Sequence, residues 1–384
     1  MNPKSFMLIA GETSGDLLAS ELVSALREIL PDAKFFGAGG AKMSAAGVDL
    51  AFDMTQHAVT GITDVLKNIL HLWRVKNQLL ALAIERRPDV IIGVDYGEFN
   101  SRFAHAVKAH VRRHPGGWNP KIVKFISPQV WASRPGRANR LAADCDLLLS
   151  IFPFEKGWYA QRVPQLRVEF VGHPMIGRFT SEPGVTDLSV SATHGARPPQ
   201  ILLLPGSRRG ELKHHLPAML GALKSIREKL PAARAIMVLP DESLVQLARS
   251  LGADLEMQIG HLPQALAQAD IAISKTGTVT MECAFFRLPA VTLYKGSWLD
   301  YQIARRIVTV KTFTMPNLLA GEEVYPEFLQ NELTAENLSR AALALLQEPS
   351  RREKIKAQLT RIIASLGEPG ATKRAAQAVL TLFP

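Results

Sequence analysis

Two short segments in the second half of this 384-residue chain have the composition of phosphate-holding turns. In Ile201-Leu202-Leu203-Leu204-Pro205-Gly206-Ser207-Arg208 an apolar run breaks at Pro-Gly, followed by a hydroxyl, two arginines and a helical pattern from Glu211. In Ile271-Ala272-Ile273-Ser274-Lys275-Thr276-Gly277-Thr278 the same order recurs, and a helix follows through Thr280-Met281-Glu282. A glycine-hinged turn that opens a helix offers backbone N–H groups to an anion, and the helix dipole adds to their pull. Neither segment has the Gly-x-Gly-x-x-Gly or Gly-x4-Gly-Lys-Ser/Thr spacing, which speaks against a dinucleotide-dependent dehydrogenase or a P-loop kinase. A diphosphate held without a P-loop suggests a nucleotide-sugar. Each segment alone also reads as a plain strand-to-helix turn; two of them, each beside a cation, point to a ligand.

Carboxylates supply the other half of the chemistry. Glu12 lies in Gly11-Glu12-Thr13-Ser14-Gly15-Asp16, where Thr13 or Ser14 is placed to cap the next helix. Asp95 and Glu98 stand three residues apart in Val94-Asp95-Tyr96-Gly97-Glu98-Phe99-Asn100, and either has the type and place of a general base. An N-cap or a solvated loop accounts for one of them and less readily for both. Ser127-Pro128-Gln129-Val130-Trp131-Ala132 and Phe152-Pro153-Phe154-Glu155-Lys156 put polar and aromatic groups at two further strand ends. Gly172-His173-Pro174 follows them, and His110 and His114 lack a third ligand, so no metal site is expected.

Alternating strands and helices must carry these residues. Apolar runs at Phe6–Ala10, Lys34–Phe36, Val90–Val94, Ile122–Ile126 and Asp146–Ile151 alternate with helical patterns at Asp16–Leu30, Ile62–Glu85, Ser101–Arg113 and Pro135–Ala143. Residues 179–200, rich in Ser, Thr, Pro and Gly, read as a linker. The alternation restarts at Ile201, with strands near Ala235–Leu239, Leu255–Gln258, Ile271–Ser274 and Ala290–Leu293, and a strandless helical tail. The expected fold is α/β, two doubly wound parallel-sheet domains (1–178 and 201–345), with ligands at the carboxyl ends of the strands. Helices in 346–384 would cross back to the first domain or exchange between copies in a homodimer.

Composition narrows the partners. An apolar share of 47% with 21% charged residues is that of an ordinary globular protein, and no run long enough to span a bilayer occurs. The start has no signal-peptide pattern and the two cysteines, Cys145 and Cys283, have no metal spacing, so a cytoplasmic protein with reduced thiols is expected. The net charge of +10 calls for an anionic partner. Its sharpest concentration is Phe99–Ala143, which holds nine Lys or Arg and no Asp or Glu. Few aromatics and no reading motif accompany it, so nucleic acid is not the expected partner. In Ile62–Glu85 an apolar face that includes Leu66, Ile69, Leu72 and Trp73 opposes a stripe of Lys67, His71, Arg74 and Gln78. Most such helices pack on a core, but Trp73 beside basic residues also fits a helix at a lipid interface.

Taken in order, Gly11-Glu12-Thr13-Ser14-Gly15-Asp16, Ser127-Pro128-Gln129-Val130-Trp131-Ala132, Phe152-Pro153-Phe154-Glu155, Gly172-His173-Pro174, Leu204-Pro205-Gly206-Ser207-Arg208, Thr276-Gly277-Thr278 and Pro316-Asn317-Leu318-Leu319 closely resemble the lipid-A-disaccharide synthase family over essentially the whole chain. The resemblance implies a GT-B fold of two Rossmann-like domains facing across a cleft and an inverting, metal-independent glycosyl transfer without a cofactor. The donor would be UDP-2,3-diacylglucosamine and the acceptor 2,3-diacylglucosamine 1-phosphate, at the cytoplasmic face of the inner membrane. Asp95 matches the family's proposed base, with Glu98 beside it. Ser207, Arg208, Thr276, Gly277 and Thr278 match the diphosphate site, Glu282 the ribose site and Gly260-His261-Leu262 the uracil site. Glu12, Ser14 and Asn317 match polar positions of the cleft, and Leu66, Ile69 and Trp73 would meet the anionic membrane surface. Two departures stand out: the base segment lacks the family's usual Pro and has Glu98 for Asp, and Lys275 would add charge near the diphosphate. Another UDP-sugar enzyme of the same fold, an N-acetylglucosamine transferase or a 2-epimerase, is the second reading; a non-catalytic basic protein that binds membranes or RNA is the third.

Overall fold

The computed structural model describes residues 3–54, 62–179, 197–296, 310 and 312–383, with the backbone alone at 62–69. The chain divides into two compact units, Met1–Gly177 with Leu366–Pro384, and Arg178–Ser365. Most of the predicted linker, 180–196, lies outside the described residues.

The first unit is a seven-stranded parallel sheet in the order β3-β2-β1-β4-β5-β6-β7. Its elements are β1 (Ser5–Ala10), α1 (Thr13–Ile29), β2 (Lys34–Gly39), α2 (Ala41–Ala45), β3 (Asp49–Asp53), α3 (Ile62–Arg86), β4 (Val90–Val94), α4 (Gly97–Arg113), β5 (Lys121–Phe125), α5 (Val130–Ser133), α6 (Arg137–Asp144), β6 (Leu147–Ser150), α7 (Pro153–Arg162), β7 (Val168–Phe170) and α8 (Met175–Phe179), of which all but the last two residues of α8 belong to it. Helices cover both faces, so β1, β4 and β6 are continuous apolar runs buried throughout most of their length. Val75, Leu79 and Ala83 of α3 pack with Met7, Ile9, Phe99 and Phe103 into one core cluster.

The second unit repeats the plan with six parallel strands in the order β10-β9-β8-β11-β12-β13. It runs through β8 (Gln200–Leu204), α9 (Arg209–Lys229), β9 (Arg234–Leu239), α10 (Glu242–Ser250), β10 (Glu256–Ile259), α11 (Leu262–Gln268), β11 (Ile271–Lys275), α12 (Thr278–Phe285), β12 (Ala290–Tyr294), α13 (Met315–Ala320), β13 (Glu327–Leu329), α14 (Ala335–Gln347) and α15 (Pro349–Ser365). Two doubly wound parallel sheets of this kind are the architecture expected from the sequence. From Leu366 the chain belongs to the first unit again, and α16 (Ala371–Leu380) packs on α1.

Three short edge strands, β3, β7 and β13, escape the sequence pattern, because three to five residues carry too little periodicity. A second difference bears on the chemistry. The predicted helix at Ser101 begins at Gly97, so Glu98, Phe99 and Asn100 occupy its first turn and are not loop.

Candidate active site

In each sheet the strand order reverses direction between its first and fourth strands in sequence, and a doubly wound sheet binds ligands at the carboxyl side of that point. In the first unit the reversal lies between β1 and β4, whose last residues, Ala10 and Val94, are register partners. The Glu12 turn and the Asp95 turn are therefore neighbours. Gly11 allows this: a Cβ there would collide with the Tyr96 ring. Asp95 and Tyr96 both adopt left-handed backbone, φ 49° and 43°, a costly conformation for non-glycine residues that here re-aims the chain into α4. Asn100, 4% exposed, holds the turn from beneath. Its Nδ2 donates to Asp95 O at 2.9 Å and lies 3.3 Å from Ile9 O and Val94 O.

The two candidate bases sit in opposite settings. Burial, and next to it the charge of Glu12, push the Asp95 carboxyl above the usual aspartate range, against the Tyr96 backbone N–H and Lys124. Glu98 is exposed and accepts from Arg102 Nε at 2.9 Å and from Arg137 Nη1. Its slight burial works the other way, but the two guanidiniums outweigh it and hold the carboxyl below the usual range. Beneath them Lys124 is 3% exposed and donates to Gly97 O at 3.0 Å and Ser101 Oγ at 3.2 Å. Burial pushes its ammonium down to about 8.

Other motif residues prove to be framework. Asp16 accepts from the amides of Gly40 (2.7 Å), Lys42 (3.0 Å) and Met43 (3.1 Å), closing the β2–α2 turn. Glu12 and Ser14 remain exposed. Glu155, fully buried, accepts from Trp131 Nε1 at 3.0 Å and ties the Ser127–Trp131 segment to the start of α7. Burial raises its carboxyl to about 7, against hydrogen bonds from Trp131, Ser127 and two backbone amides. Gly172, at φ 85°, admits Arg374 of the returning tail, whose Nε donates to Val171 O at 2.8 Å.

In the second unit the reversal lies between β8 and β11, and Leu204 pairs with Ser274. The two predicted phosphate turns thus lie side by side. His215, fully buried, secures the first: its Nδ1–H donates to Pro205 O at 2.7 Å and its Nε2 accepts from Lys295 N at 3.0 Å. Those partners fix the neutral tautomer, and burial lowers the ring's pKa in agreement. The amides of Thr278 and Val279 open α12 ahead of any intrahelical acceptor, as an anion site requires, while that of Thr280 turns back to Gly277 O at 3.0 Å. Thr276 lies just ahead of them, its own amide bonded to Leu293 O at 2.8 Å. Arg208 is exposed at the start of α9.

Two expectations change at this end of the sheet. Glu211 accepts the Ser207 amide at 2.9 Å and Lys275 Nζ at 3.1 Å, so that N–H is engaged within the fold and the Lys275 charge is neutralised. Asn317, expected among polar groups of the cleft, is 1% exposed. Its Nδ2 donates to Tyr325 O and Glu327 Oε1, both at 2.8 Å, and its Oδ1 accepts from the amides of Val324 (2.9 Å) and Tyr325 (2.8 Å). That exhausts the amide's capacity and makes Asn317 a loop lock.

Glu282 is half-buried on α12, and burial raises its carboxyl to about 7 against the charge of Arg178. Gly260 and His261 form a left-handed pair, φ 67° and 50°, and both carbonyls accept from Gln258 Nε2, at 3.0 and 3.1 Å. Leu262 opens α11. On α3, Trp73 and Leu70 are exposed (59% and 56%), whereas Leu72 packs against the core, so the single broad face read from the sequence divides into a core side and an outward side. The side chains of Leu66 and Ile69 lie outside the described residues. Sequence reasoning missed Lys124, Glu211 and His215; the polar residue within each apolar or helical pattern was the available signal.

A family model described as lipid-A-disaccharide synthetase matches residues 6–382. Among curated proteins, the lipid-A-disaccharide synthase of Myxococcus xanthus is 34% identical over 387 residues, covering 100% of this chain and 98% of the relative. That of Solibacter usitatus is 36% identical over 381 residues, covering 97% and 96%. Solved structures share the fold at low identity. A putative UDP-N-acetylglucosamine 2-epimerase from Listeria monocytogenes aligns with TM-score 0.60 at 15% identity, covering 100% of this chain and 97% of that one. The S. aureus MnaA–UDP complex aligns with TM-score 0.62 at 11%, covering 99% and 98%.

Proposed function

The chain belongs to the lipid-A-disaccharide synthase family, and from that premise we propose how its residues divide the reaction. The enzyme is an inverting glycosyltransferase that joins UDP-2,3-diacylglucosamine to 2,3-diacylglucosamine 1-phosphate, releasing UDP and the β-1,6-linked disaccharide 1-phosphate. Asp95 takes the proton of the acceptor's 6-hydroxyl as that oxygen attacks the anomeric carbon of the donor. The bond to the UDP oxygen breaks on the opposite face, and UDP departs with the electron pair. Developing charge on the leaving diphosphate is met by Arg208, by the hydroxyl of Ser207 and by the Thr276-Gly277-Thr278 turn at the start of α12. Glu282 takes the ribose hydroxyls, and Gly260-His261-Leu262 reads the uracil. Glu12 acts through Asp95, raising its proton affinity.

The observation that carries the assignment of the base is the contrast between a half-buried Asp95 with raised pKa and a Glu98 neutralised by two arginines. The enzyme is a peripheral protein of the cytoplasmic face of the inner membrane, where its acylated substrates lie. We assign the membrane contact to the outward side of α3, at Trp73 and Leu70. The 2-epimerase reading rests on fold likeness alone, at 11–15% identity.

The test is UDP release from UDP-2,3-diacylglucosamine in detergent micelles, with and without acceptor and with EDTA present. Acceptor-dependent release that survives EDTA and collapses in Asp95→Ala is expected. Release without acceptor, or none at all from the parent, would overturn these transferase roles.

A further inference from the structure

Nine basic residues crowd the sequence from Phe99 to Ala143, and the fold sorts them. Lys108 and Lys121 pair with Asp146 at 2.9 and 3.8 Å, Arg112 approaches Asp144 at 4.0 Å, and Lys124 is buried. Four of the rest, Arg102, Arg134, Arg137 and Arg140, converge on one cavity of about 190 Å³ between α4 and α6. Its inner wall is apolar, formed by Ala104, Val130, Leu141 and Cys145. Two carboxylates also line it: Glu98, which bridges Arg102 and Arg137, and Asp144, which accepts from His105 at 2.9 Å and lies 3.8 Å from Arg140. Among the described residues Arg134 has no carboxylate within ion-pair distance. Four guanidiniums against two carboxylates leave the mouth cationic.

We propose that this cavity is the subsite for the phosphate monoester of the sugar acceptor, held by Arg134, Arg137 and Arg140. The inference rests on the transferase reading. The cavity is smaller than the roughly 300 Å³ at which small-molecule sites begin, so it suits one substituent and not a whole glycolipid. Gly97 and Glu98, which follow the Asp95-Tyr96 turn directly in the chain, line it. In a pyranose C1 and C5 both flank the ring oxygen, so the 1-phosphate lies within one sugar ring of the 6-hydroxyl. An acceptor whose hydroxyl meets Asp95 must hold its phosphate close to the same turn, and Gly97 and Glu98, the second and third residues after Asp95, belong to the arginine cavity. Guanidinium forks match phosphate oxygens in pairs, and Glu98 positions two of them before the ligand arrives.

The experiment compares parent, Arg134→Ala/Arg140→Ala and the control Arg113→Ala, an exposed arginine of α4 outside the cavity. Each is assayed in mixed micelles with 2,3-diacylglucosamine 1-phosphate and with 2,3-diacylglucosamine lacking the phosphate. Equilibrium binding of the phosphorylated lipid without donor is measured alongside. The double variant is expected to bind the phosphorylated lipid about 10- to 100-fold more weakly and to lose the preference for it, with donor KM unchanged and Arg113→Ala like the parent. Discrimination that persists in the double variant, or an equal loss in Arg113→Ala, would overturn the proposal. So would a loss confined to flotation on phosphatidylglycerol vesicles, which would make the cavity a headgroup site. A parent that binds phosphorylated lipid through these arginines yet transfers no sugar would overturn the transferase reading and leave the subsite standing.

Discussion

Asp95→Asn and Glu98→Gln separate two carboxylates that lie three residues apart and are held in opposite electrostatic settings. Burial and Glu12 favour the protonated form of Asp95, while Arg102 and Arg137 outweigh the slight burial of Glu98 and favour its ionised form. A general base works through its proton affinity in the transition state, so the raised group is the better base wherever it is ionised. Losing such a base lowers the rate by about 10²–10⁴, or about 3–5 kcal/mol of barrier. Asp95→Asn is expected to fall in kcat by that factor. Glu98→Gln releases Arg102 and Arg137, so its effect should appear in acceptor KM with kcat largely kept. The pH profile supplies a second check. Asp95 must be ionised to act, so its raised pKa places the acid limb of kcat/KM above the ordinary aspartate range. Glu12→Gln, which removes the second cause of the shift, should move that limb toward lower pH. For stability the sign is reversed: the fold favours protonated Asp95, so its ionisation at neutral pH costs stability, and Asp95→Asn should unfold at a higher temperature there. Acceptor-dependent UDP release in micelles, fitted for kcat and KM separately, reads all but the last, which thermal unfolding reads. A Glu98→Gln enzyme that loses kcat by two orders or more while Asp95→Asn keeps it would refute the reasoning.

Glu155 is raised by burial from its ordinary 4.5 to about 7, so it contributes about 3 kcal/mol of stability below pH 4.5 that is lost as pH rises through about 7. Urea unfolding should show the parent weakening across that window and Glu155→Gln much flatter; equal slopes would mean the carboxyl titrates normally. Gly11→Ala drives a methyl into the Tyr96 ring, so a loss of about 1–3 kcal/mol in stability is expected together with a fall in kcat. Thermal unfolding and UDP release would test it, and an unchanged enzyme would show that the ring is free to move. Leu70→Asp/Trp73→Asp removes two exposed apolar side chains, each worth about 1.5–3 kcal/mol if buried in lipid, so binding to anionic vesicles should drop at least tenfold by flotation. Undiminished flotation would place the membrane contact elsewhere.

The sequence by itself determined the alternation of strand and helix, the parallel class of both sheets and the turns at their strand ends. These are local facts: a four- to six-residue apolar run rich in Ile, Val and Leu between turn residues is too short for a helix and reads as a buried strand, and Pro-Gly or Gly-Thr before a helical pattern marks its end. It also carried the family, through short motifs in a fixed order. Tertiary structure alone decided which motif residues face a ligand. Glu155 and Asn317 look like rim or cleft residues in the chain, yet Glu155 accepts the indole N–H of Trp131, 24 residues away, and the amide of Asn317 is used up by the loop that follows its own helix. Lys275 reads as a free cation until Glu211, 64 residues away, neutralises it. Asp95 and Glu98 are the same chemistry three positions apart; burial beside Glu12 raises one, and Arg137 from another helix lowers the other. Helical periodicity assigned α3 one apolar face, whereas packing gave it two, because which side meets the sheet depends on where the sheet lies. A pKa, a hydrogen-bond partner and an exposed face are each set by the sum of surrounding groups, and those come from parts of the chain that only folding brings together.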